Sequence, residues 1–184
     1  MLNRYHIMRN QQRAYTIGSI EHINTEWIFF DEESEEASLV ADIVQDGFEI
    51  LYEQHWIPAH LYENDIIKIE HTLHHLQNKD ILRVPKKLQY SYEVWLTELS
   101  DPSFYTFASM LQELGYSVYD SIFCHNSLQF QSNFQLKQGV NFIVYDNGDF
   151  VCSVQHQYLR GIEIEKDTFT FTRADGETRI QESI

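Results

Sequence analysis

Short runs of β-branched and aromatic residues alternate with polar positions through the first half of the chain. The runs cover residues 13–20, 26–30, 38–43, 48–52, 66–73 and 81–84. Polar turn sequences separate them, and Asp46-Gly47 is typical of a two-residue hairpin because both residues tolerate positive φ. Short, strongly twisted strands lose their exposed edges by closing on themselves. The pattern therefore predicts a small β-barrel over residues 1–85, SH3-like or OB-like.

Beyond Pro85 the apolar positions recur with the period of a helix. The residues on this stripe are Leu88, Tyr92, Trp95, Leu96 and Leu99. A second helix is expected to have Asp101 as its N-cap, Pro102 as its first helical residue and Gly115 just beyond its end. Because only a Ser-Asp-Pro turn separates the two helical segments, they indicate a helical hairpin.

After Gly115 the alternation returns to a period of two. Strands are predicted over residues 116–123, 140–145, 150–155, 161–165 and 168–173. Ile162, Ile164, Phe169 and Phe171 alternate with polar residues, so one face of this sheet should be covered. The two helices are the natural cover, which predicts an α+β module over residues 86–184. The expected fold class is α+β, with a barrel followed by a helical hairpin packed on an antiparallel sheet.

The composition narrows the classes of partner. The chain has 184 residues and a formal net charge of −15, from 13 Lys and Arg against 28 Asp and Glu. This balance argues against nucleic acid and against an anionic membrane, since both are bound through clustered bases. No apolar run approaches the roughly 20 residues that cross a bilayer, and the first residues lack the apolar stretch of a signal peptide. With two cysteines the chain fits a reducing compartment, so we expect a cytoplasmic protein.

The negative charge is concentrated in the first module. Residues 14–67 contain no Lys or Arg and carry 13 acids. The densest group is Asp31, Glu32, Glu33, Glu35 and Glu36. One interpretation is that these acids only keep the chain soluble, because net charge constrains function weakly. The sharper hypothesis is an acidic binding face for a basic protein surface or peptide.

A histidine cluster offers a different function. On a helix, His71, His74 and His75 would share one face and could hold a zinc-type ion. On a strand, His71 and His75 would lie about 13 Å apart and His74 would point to the opposite face. The period-two positions Ile67, Ile69 and Leu73 favour the strand. A histidine-based metal site is therefore kept as an alternative that depends on a helix.

The two cysteines, each with a histidine nearby, suggest a thiol enzyme. Cys124 precedes His125, and Cys152 lies four residues before His156. A cysteine nucleophile needs a base and a partly exposed, electropositive setting, whereas predicted strands surround both of these residues. We therefore interpret them as small buried hydrophobes, which could also face each other across neighbouring strands. The sequence has no phosphate-binding glycine loop, nucleophile elbow or zinc-protease motif.

Two stretches carry a family resemblance. The opening Tyr15-Thr16-Ile17-Gly18 and the later Leu61-Tyr62-Glu63-Asn64-Asp65-Ile66-Ile67 are similar to the strand entries of SH3-like or OB-like barrels. The chain as a whole resembles uncharacterised small proteins of Bacillus-type bacteria. This resemblance implies a cytoplasmic location and carries over no activity and no functional residue.

Aromatic residues of the predicted barrel are the last candidates for a binding site. Trp27, Phe29, Phe30 and Trp56 are expected in the core of a small barrel, but any that lie exposed beside acids would suit a basic or aromatic peptide. We predict a non-catalytic binding or regulatory protein with no cofactor, and the sequence leaves a homo-oligomer open. The alternatives are a histidine-based metal protein and an enzyme with a site between the two modules.

Overall fold

The computed structural model describes residues 4–45, 47–131 and 135–183. Asp46, the first residue of the predicted Asp46-Gly47 turn, lies outside the described residues. The chain divides into two compact units, Met1–Lys86 and Lys87–Ile184. No described helix is both long enough and apolar enough to span a bilayer.

The first unit is built on one antiparallel sheet of eight strands, ordered β3-β2-β1-β8-β4-β5-β6-β7. Its elements are α1 (Arg4–Arg9), β1 (Tyr15–Ile23), β2 (Glu26–Asp31), β3 (Ala37–Leu39), α2 (Val40–Ile43), β4 (Phe48–Tyr52), β5 (His55–Glu63), β6 (Ile66–Ile69), β7 (Thr72–His75) and β8 (Ile81–Pro85). Strand β8 pairs with both β1 and β4 and so joins the two halves of the sheet.

The predicted SH3-like or OB-like barrel is wrong. Strands β3 and β7 end the sheet order, and within the described residues each pairs on one side only. The sheet still buries a shared core, because its apolar positions follow the predicted alternation. This core contains Ile20, Phe29, Val40, Val44, Phe48, Ile50, Ala59, Ile67, Ile69, Leu76, Leu82 and Val84. Period-two patterning predicts a covered face correctly, but it does not determine whether the first and last strands meet.

The second unit contains an antiparallel sheet of five strands in sequential order, from β9 to β13. Its elements are α3 (Tyr90–Glu98), α4 (Asp101–Glu113), β9 (Ser121–His125), β10 (Lys137–Asp146), β11 (Val151–Arg160), β12 (Glu165–Arg173) and β13 (Thr178–Ser183), with short 3-10 helices at Val118–Asp120 and Leu128–Gln131. From β10 to β13 the sequential order follows from the short connections, since adjacent antiparallel strands need only a tight turn.

The predicted helical hairpin is also wrong. Helix α3 packs beside β9 and helix α4 beside β13, so the two short helices contact opposite edges of the sheet. Their apolar side chains meet each other and the sheet. The Trp95 ring of α3 lies 4.9 Å from Phe107 of α4 and 6.4 Å from Phe169 of β12 between centroids. The described chain is mainly β, and its helices cover a sheet face instead of forming a hairpin.

The capping signals in the sequence predict both ends of helix α4 to within one residue. The N-cap of α4 is Ser100, whose hydroxyl accepts a hydrogen bond from the Ser103 amide, one residue before the predicted Asp101. Gly115 lies just beyond the helix with φ +85, a conformation that glycine adopts without steric cost.

The predicted strand over residues 161–165 is a turn for most of its length. The chain reverses between Arg160 and Glu165, the paired ends of β11 and β12. Ile162 is therefore 93% exposed and Ile164 47%, whereas Phe169 and Phe171 are buried in β12 as their alternation predicted.

Candidate functional site

A cleft of about 630 Å³ opens in the first unit. Its walls come from the β1–β2 turn, the start of α2, the β5–β6 turn and the segment that follows β7. Strands β1 and β5 run in opposite directions in the sheet, and the turns that follow them both contribute to this one cleft. The volume falls in the range of small-ligand and side-chain pockets.

The cleft combines apolar surface with polar groups and negative charge. Val40, Leu61 and Leu76 supply apolar surface, and the turns supply side-chain amides from Asn24, Asn64, Gln77 and Asn78. Glu26 and Asp65 are its two carboxylates, and no Lys or Arg belongs to the described lining. A few polar groups around apolar surface are typical of a recognition site, and here their charge is negative.

An aromatic pair forms one corner of the cleft. The His22 and Trp27 rings lie 5.0 Å apart between centroids at an interplanar angle of 55°. The Trp27 side chain is partly exposed, while its indole N–H is buried and has no acceptor among the described residues. A buried donor without an acceptor is uncommon in folded proteins.

Hydrogen bonds hold the cleft's walls together. The His22 amide donates to the Asn78 side chain at 2.7 Å, which links the β1 end to the segment after β7. The Leu76 amide donates to the Asp65 carbonyl at 2.8 Å, and His75 Nδ1 lies 3.1 Å from Asp65 Oδ2. These bonds fix the backbone around the carboxylates, so the site is largely formed before any ligand binds.

The acidic group predicted from the sequence lies at the other end of β2. Glu32, Glu33, Glu35 and Glu36 are exposed in the β2–β3 turn. Asp31 is the structural residue of this turn, because its carboxylate accepts the Glu33 amide at 2.7 Å and the Ser34 hydroxyl at 2.9 Å.

The same hydrogen bonds set the charge state of Asp31. Burial acts to raise the pKa of Asp31, but the bonds from the Glu33 amide and Ser34 outweigh it and hold the pKa below its usual value. The candidate acids therefore divide into a structural residue, Asp31, and four exposed glutamates.

The histidines do not converge on one point. Residues Thr72–His75 form a strand, so the adjacent His74 and His75 point to opposite faces. His74 Nε2 lies 3.0 Å from the Thr72 hydroxyl, and His75 contacts Asp65. His71 lies in the turn before the strand. Across the described chain, no group of three or more His, Cys, Asp or Glu side chains could hold a metal ion.

Of the predicted barrel aromatics, Phe29 is buried and Trp56 packs on an arginine. The Arg83 guanidinium lies 4.7 Å from the Trp56 ring and 4.2 Å from the Tyr15 ring. The Arg83 Nε also donates to Glu49 at 2.6 Å. Trp56 is therefore occupied within the unit, which leaves Trp27 as the aromatic that the cleft presents.

The second unit buries a polar network that the sequence did not predict. Asp167 is fully buried, and its carboxylate accepts hydrogen bonds from Ser103, Arg160 and His156. His156 Nε2 lies 2.6 Å from Asp167 Oδ1, and the Trp95 indole donates to His156 Nδ1 at 2.8 Å. Because the indole N–H can only donate, the His156 proton is on Nε2 and is shared with the carboxylate.

This arrangement contains Ser, His and Asp but is not a catalytic triad. The Ser103 hydroxyl donates to the carboxylate, and the imidazole nitrogen that a nucleophile would need is occupied by Trp95. Ser103 and His156 are buried at 2% and 0% exposure, so substrate does not reach them. The network joins both helices to the sheet, and its role is structural.

Burial and bonding shift both titrating groups downwards. Burial lowers the pKa of His156 by more than the neighbouring Asp167 carboxylate raises it. Burial acts to raise the pKa of Asp167, but the bonds from His156, Ser103 and Arg160 outweigh this and hold the pKa below its usual value. A neutral imidazole on an ionised carboxylate is the resulting state at neutral pH.

The cysteines are buried thiols on one sheet. Cys124 pairs with Ile143 and Cys152 with Tyr145, so strand β10 lies between them and they are not on neighbouring strands. Two strand spacings amount to roughly 10 Å, beyond the reach of a disulfide. Burial raises the pKa of Cys124 to about 12 and that of Cys152 to about 11, so both are protonated at neutral pH.

Sequence reasoning missed Glu26 and Asp65 as a pair because they lie far apart in the chain. The available signal was positional, since Asn24-Thr25 and Asn64-Asp65 are both polar reversals between strands. Knowing that these two turns line one cleft requires the three-dimensional fold, which periodicity does not supply.

The fold and the cleft define a two-unit, mainly antiparallel β protein with an acidic cleft containing a tryptophan in its first unit. The chain belongs to the family described as "Protein of unknown function (DUF2777)", whose match covers residues 2–183. Comparison with the curated proteins and with the solved structures gives no match.

Proposed function

We propose that this is a non-catalytic binding protein whose first unit takes a basic side chain of a protein partner into the cleft. The observation that carries the proposal is the lining itself, in which Trp27 lies with two carboxylates and no described Lys or Arg. An anionic or purely apolar ligand would leave Glu26 and Asp65 desolvated without compensation, which is costly.

A cation satisfies each part of the lining. Glu26 and Asp65 offer charge-assisted hydrogen bonds to a guanidinium or an ammonium group. In this proposal the Trp27 ring forms the aromatic wall beside the cation, and the alkyl stem of Lys or Arg lies on Val40 and Leu76. The proposed occupant is therefore an arginine or lysine of a partner protein.

The acid-rich surroundings favour such a partner as well. Residues 14–67 contain no Lys or Arg, so the approach to this unit is attractive to a basic surface over a Debye length of about 8–10 Å. The four exposed glutamates of the β2–β3 turn would contribute to steering and association rate. The cleft, with a tryptophan and fixed walls, would supply the specific contact.

The test is a titration with a defined probe. A fluorescent synthetic peptide that alternates arginine with valine is titrated with the protein by anisotropy, and a matched peptide has glutamate in place of arginine. We expect binding of the basic peptide only, with weakening as salt is added. The double variant Glu26→Gln, Asp65→Asn should weaken binding by about tenfold or more, since both charged partners are lost.

The control removes more charge from a different place. Glu32, Glu33, Glu35 and Glu36 are changed together to Gln, which neutralises four charges at the β2–β3 turn. Binding that survives this change but not the cleft variant supports the cleft. Equal loss in both variants would assign binding to net charge, and the absence of binding to wild type at low salt would remove the proposal.

A further inference from the structure

We infer that strand β7 binds the partner's chain in an extended conformation as a ninth strand, which carries a basic side chain into the adjacent cleft. This inference rests on the proposed function and specifies how the partner's backbone is held. In this mode, main-chain hydrogen bonds supply affinity and a side-chain pocket supplies specificity.

Three of the four sheet edges carry protection that β7 lacks. Strand β3 has three residues and leads directly into α2. The β9 carbonyls of Ile122 and Cys124 accept hydrogen bonds from the side chains of Gln89 and Ser91. Strand β13 packs against α4 and carries charged residues. Cover, shortness and charge are the usual ways of blocking an edge from pairing.

Strand β7 is long enough and open enough to pair. All four of its residues, Thr72–His75, are exposed, and none is a Lys or a Pro. An exposed edge strand presents unpaired N–H and C=O groups, which are a template for another chain.

The register identifies which backbone groups are available. In an antiparallel pair the hydrogen-bonded residues alternate with residues whose N–H and C=O point away from the partner strand. Strands β6 and β7 pair Ile69 with Thr72, which closes a two-residue turn, and the Leu76 amide bonds to the Asp65 carbonyl. The groups of Leu73 and His75, which fall between these bonded positions, therefore point outwards.

The strand leads into the cleft. Leu76, which follows β7 directly, belongs to the cleft lining, and His75 contacts Asp65, another member of that lining. A chain paired along β7 therefore passes within a few residues of Asp65 and of the cleft that it lines, at about 3.3 Å per residue.

Charge decides the chemistry of the occupant. Glu63, Asp65 and Glu70 flank the β6–β7 hairpin, whose only lysine is Lys68. A basic segment with β-branched residues between its bases fits both the charges and the edge. A second copy of this chain fits worse, because its first unit carries the same excess of acids.

The decisive variant is Leu73→Pro. Proline removes the outward N–H but none of the hydrogen bonds to β6, and proline is tolerated on edge strands. The matched control Leu73→Thr keeps the N–H and removes the apolar side chain. We expect the arginine–valine peptide to bind about five- to tenfold more weakly to Leu73→Pro, and within about twofold of wild type to Leu73→Thr.

A second arm changes the probe and leaves the protein intact. The same arginine–valine peptide, N-methylated at alternate residues, keeps its charge but cannot pair with an edge. Wild type should bind it more than about tenfold more weakly than the unmethylated peptide, since several main-chain bonds are lost. Amide exchange at Leu73 and His75 should slow when the unmethylated peptide is bound.

The outcomes separate the two proposals. If the N-methylated peptide binds as well as its parent, or if exchange at Leu73 and His75 does not slow, strand addition is wrong and the cleft proposal stands. If neither peptide binds wild type, the proposed function itself is wrong. Should Leu73→Pro fail to fold, the methylated probe and the exchange measurement still decide the question.

Discussion

The two units handle polar groups in opposite ways. In the first unit, the carboxylates Glu26 and Asp65 are exposed and line an open cleft. In the second unit, Asp167 is completely buried and three donors surround it. The contrast teaches that buried and satisfied polar groups fix a fold, whereas accessible ones remain available to a ligand.

The largest effect is expected where the buried network loses its acceptor. Asp167→Ala leaves the Arg160 and His156 donors without their shared carboxylate, so we expect a loss of about 3–5 kcal/mol in the free energy of unfolding. Urea denaturation followed by circular dichroism measures it. A loss below ~1 kcal/mol would show that the network is dispensable and would contradict its structural role.

A smaller loss is expected in the first sheet. A Cβ at Gly18 would lie 2.1 Å from the Phe30 carbonyl oxygen of β2, so Gly18→Ala should force the two strands apart and cost about 1–3 kcal/mol. The same denaturation experiment applies. Gly148→Ala is the control, because no atom lies within 4 Å of its Cβ and only its positive φ opposes the change.

The next effect in size is a pH dependence of stability that arises from His156 in the second unit. Because the pKa of folded His156 lies below its ordinary value, the unfolded chain takes up the proton first as pH falls. The free energy of unfolding therefore keeps its full value above about pH 6.5 and decreases as the pH falls from there towards the pKa of folded His156. For one proton the slope is at most about 1.4 kcal/mol per pH unit.

The measurement compares unfolding free energies between pH 7.5 and 5.5 in wild type and in His156→Gln. The depressed pKa of Asp167 adds its own loss only further into acid, as pH falls below about 4. The exposed His74→Gln is the control, and it should keep the wild-type slope. An identical slope in wild type and His156→Gln would contradict the assignment.

The smallest stability effect belongs to the cleft. Glu26 is exposed, so Glu26→Gln should change the free energy of unfolding by less than about 0.5 kcal/mol while weakening the basic peptide several-fold. Denaturation and anisotropy on the same preparation test both halves. If Glu26→Gln destabilises the protein, Glu26 has a structural role, and the proposed difference between the cleft and the buried network is wrong.

The extent of sequence prediction differs between local and distant features. Phe169 and Phe171 alternate with polar residues, and both are buried as predicted. Ile162 shows the same alternation but lies at a turn, because two alternating positions do not reveal where a strand ends. Helix α4 begins and ends within a residue of its expected caps, since capping is local chemistry.

The contacts between residues that are distant in the sequence were not predicted. The barrel and the helical hairpin were both wrong, because closure of a sheet and the position of each helix depend on which strands become neighbours. For the same reason, the sequence did not predict that Glu26 and Asp65 line one cleft or that His156 bonds to Asp167. Trp27 was identified by type, but only the fold shows that it lines a cleft with two carboxylates.

The placement of α3 and α4 at opposite edges of the five-stranded sheet has a consequence for cooperativity. A meander in sequential order could fray from either end, because each strand depends on its neighbours alone. Here the short link through Leu99 and Ser100 ties a helix on the β9 edge to a helix on the β13 edge. Loosening one edge therefore disturbs the other, so the second unit should open as a single cooperative body.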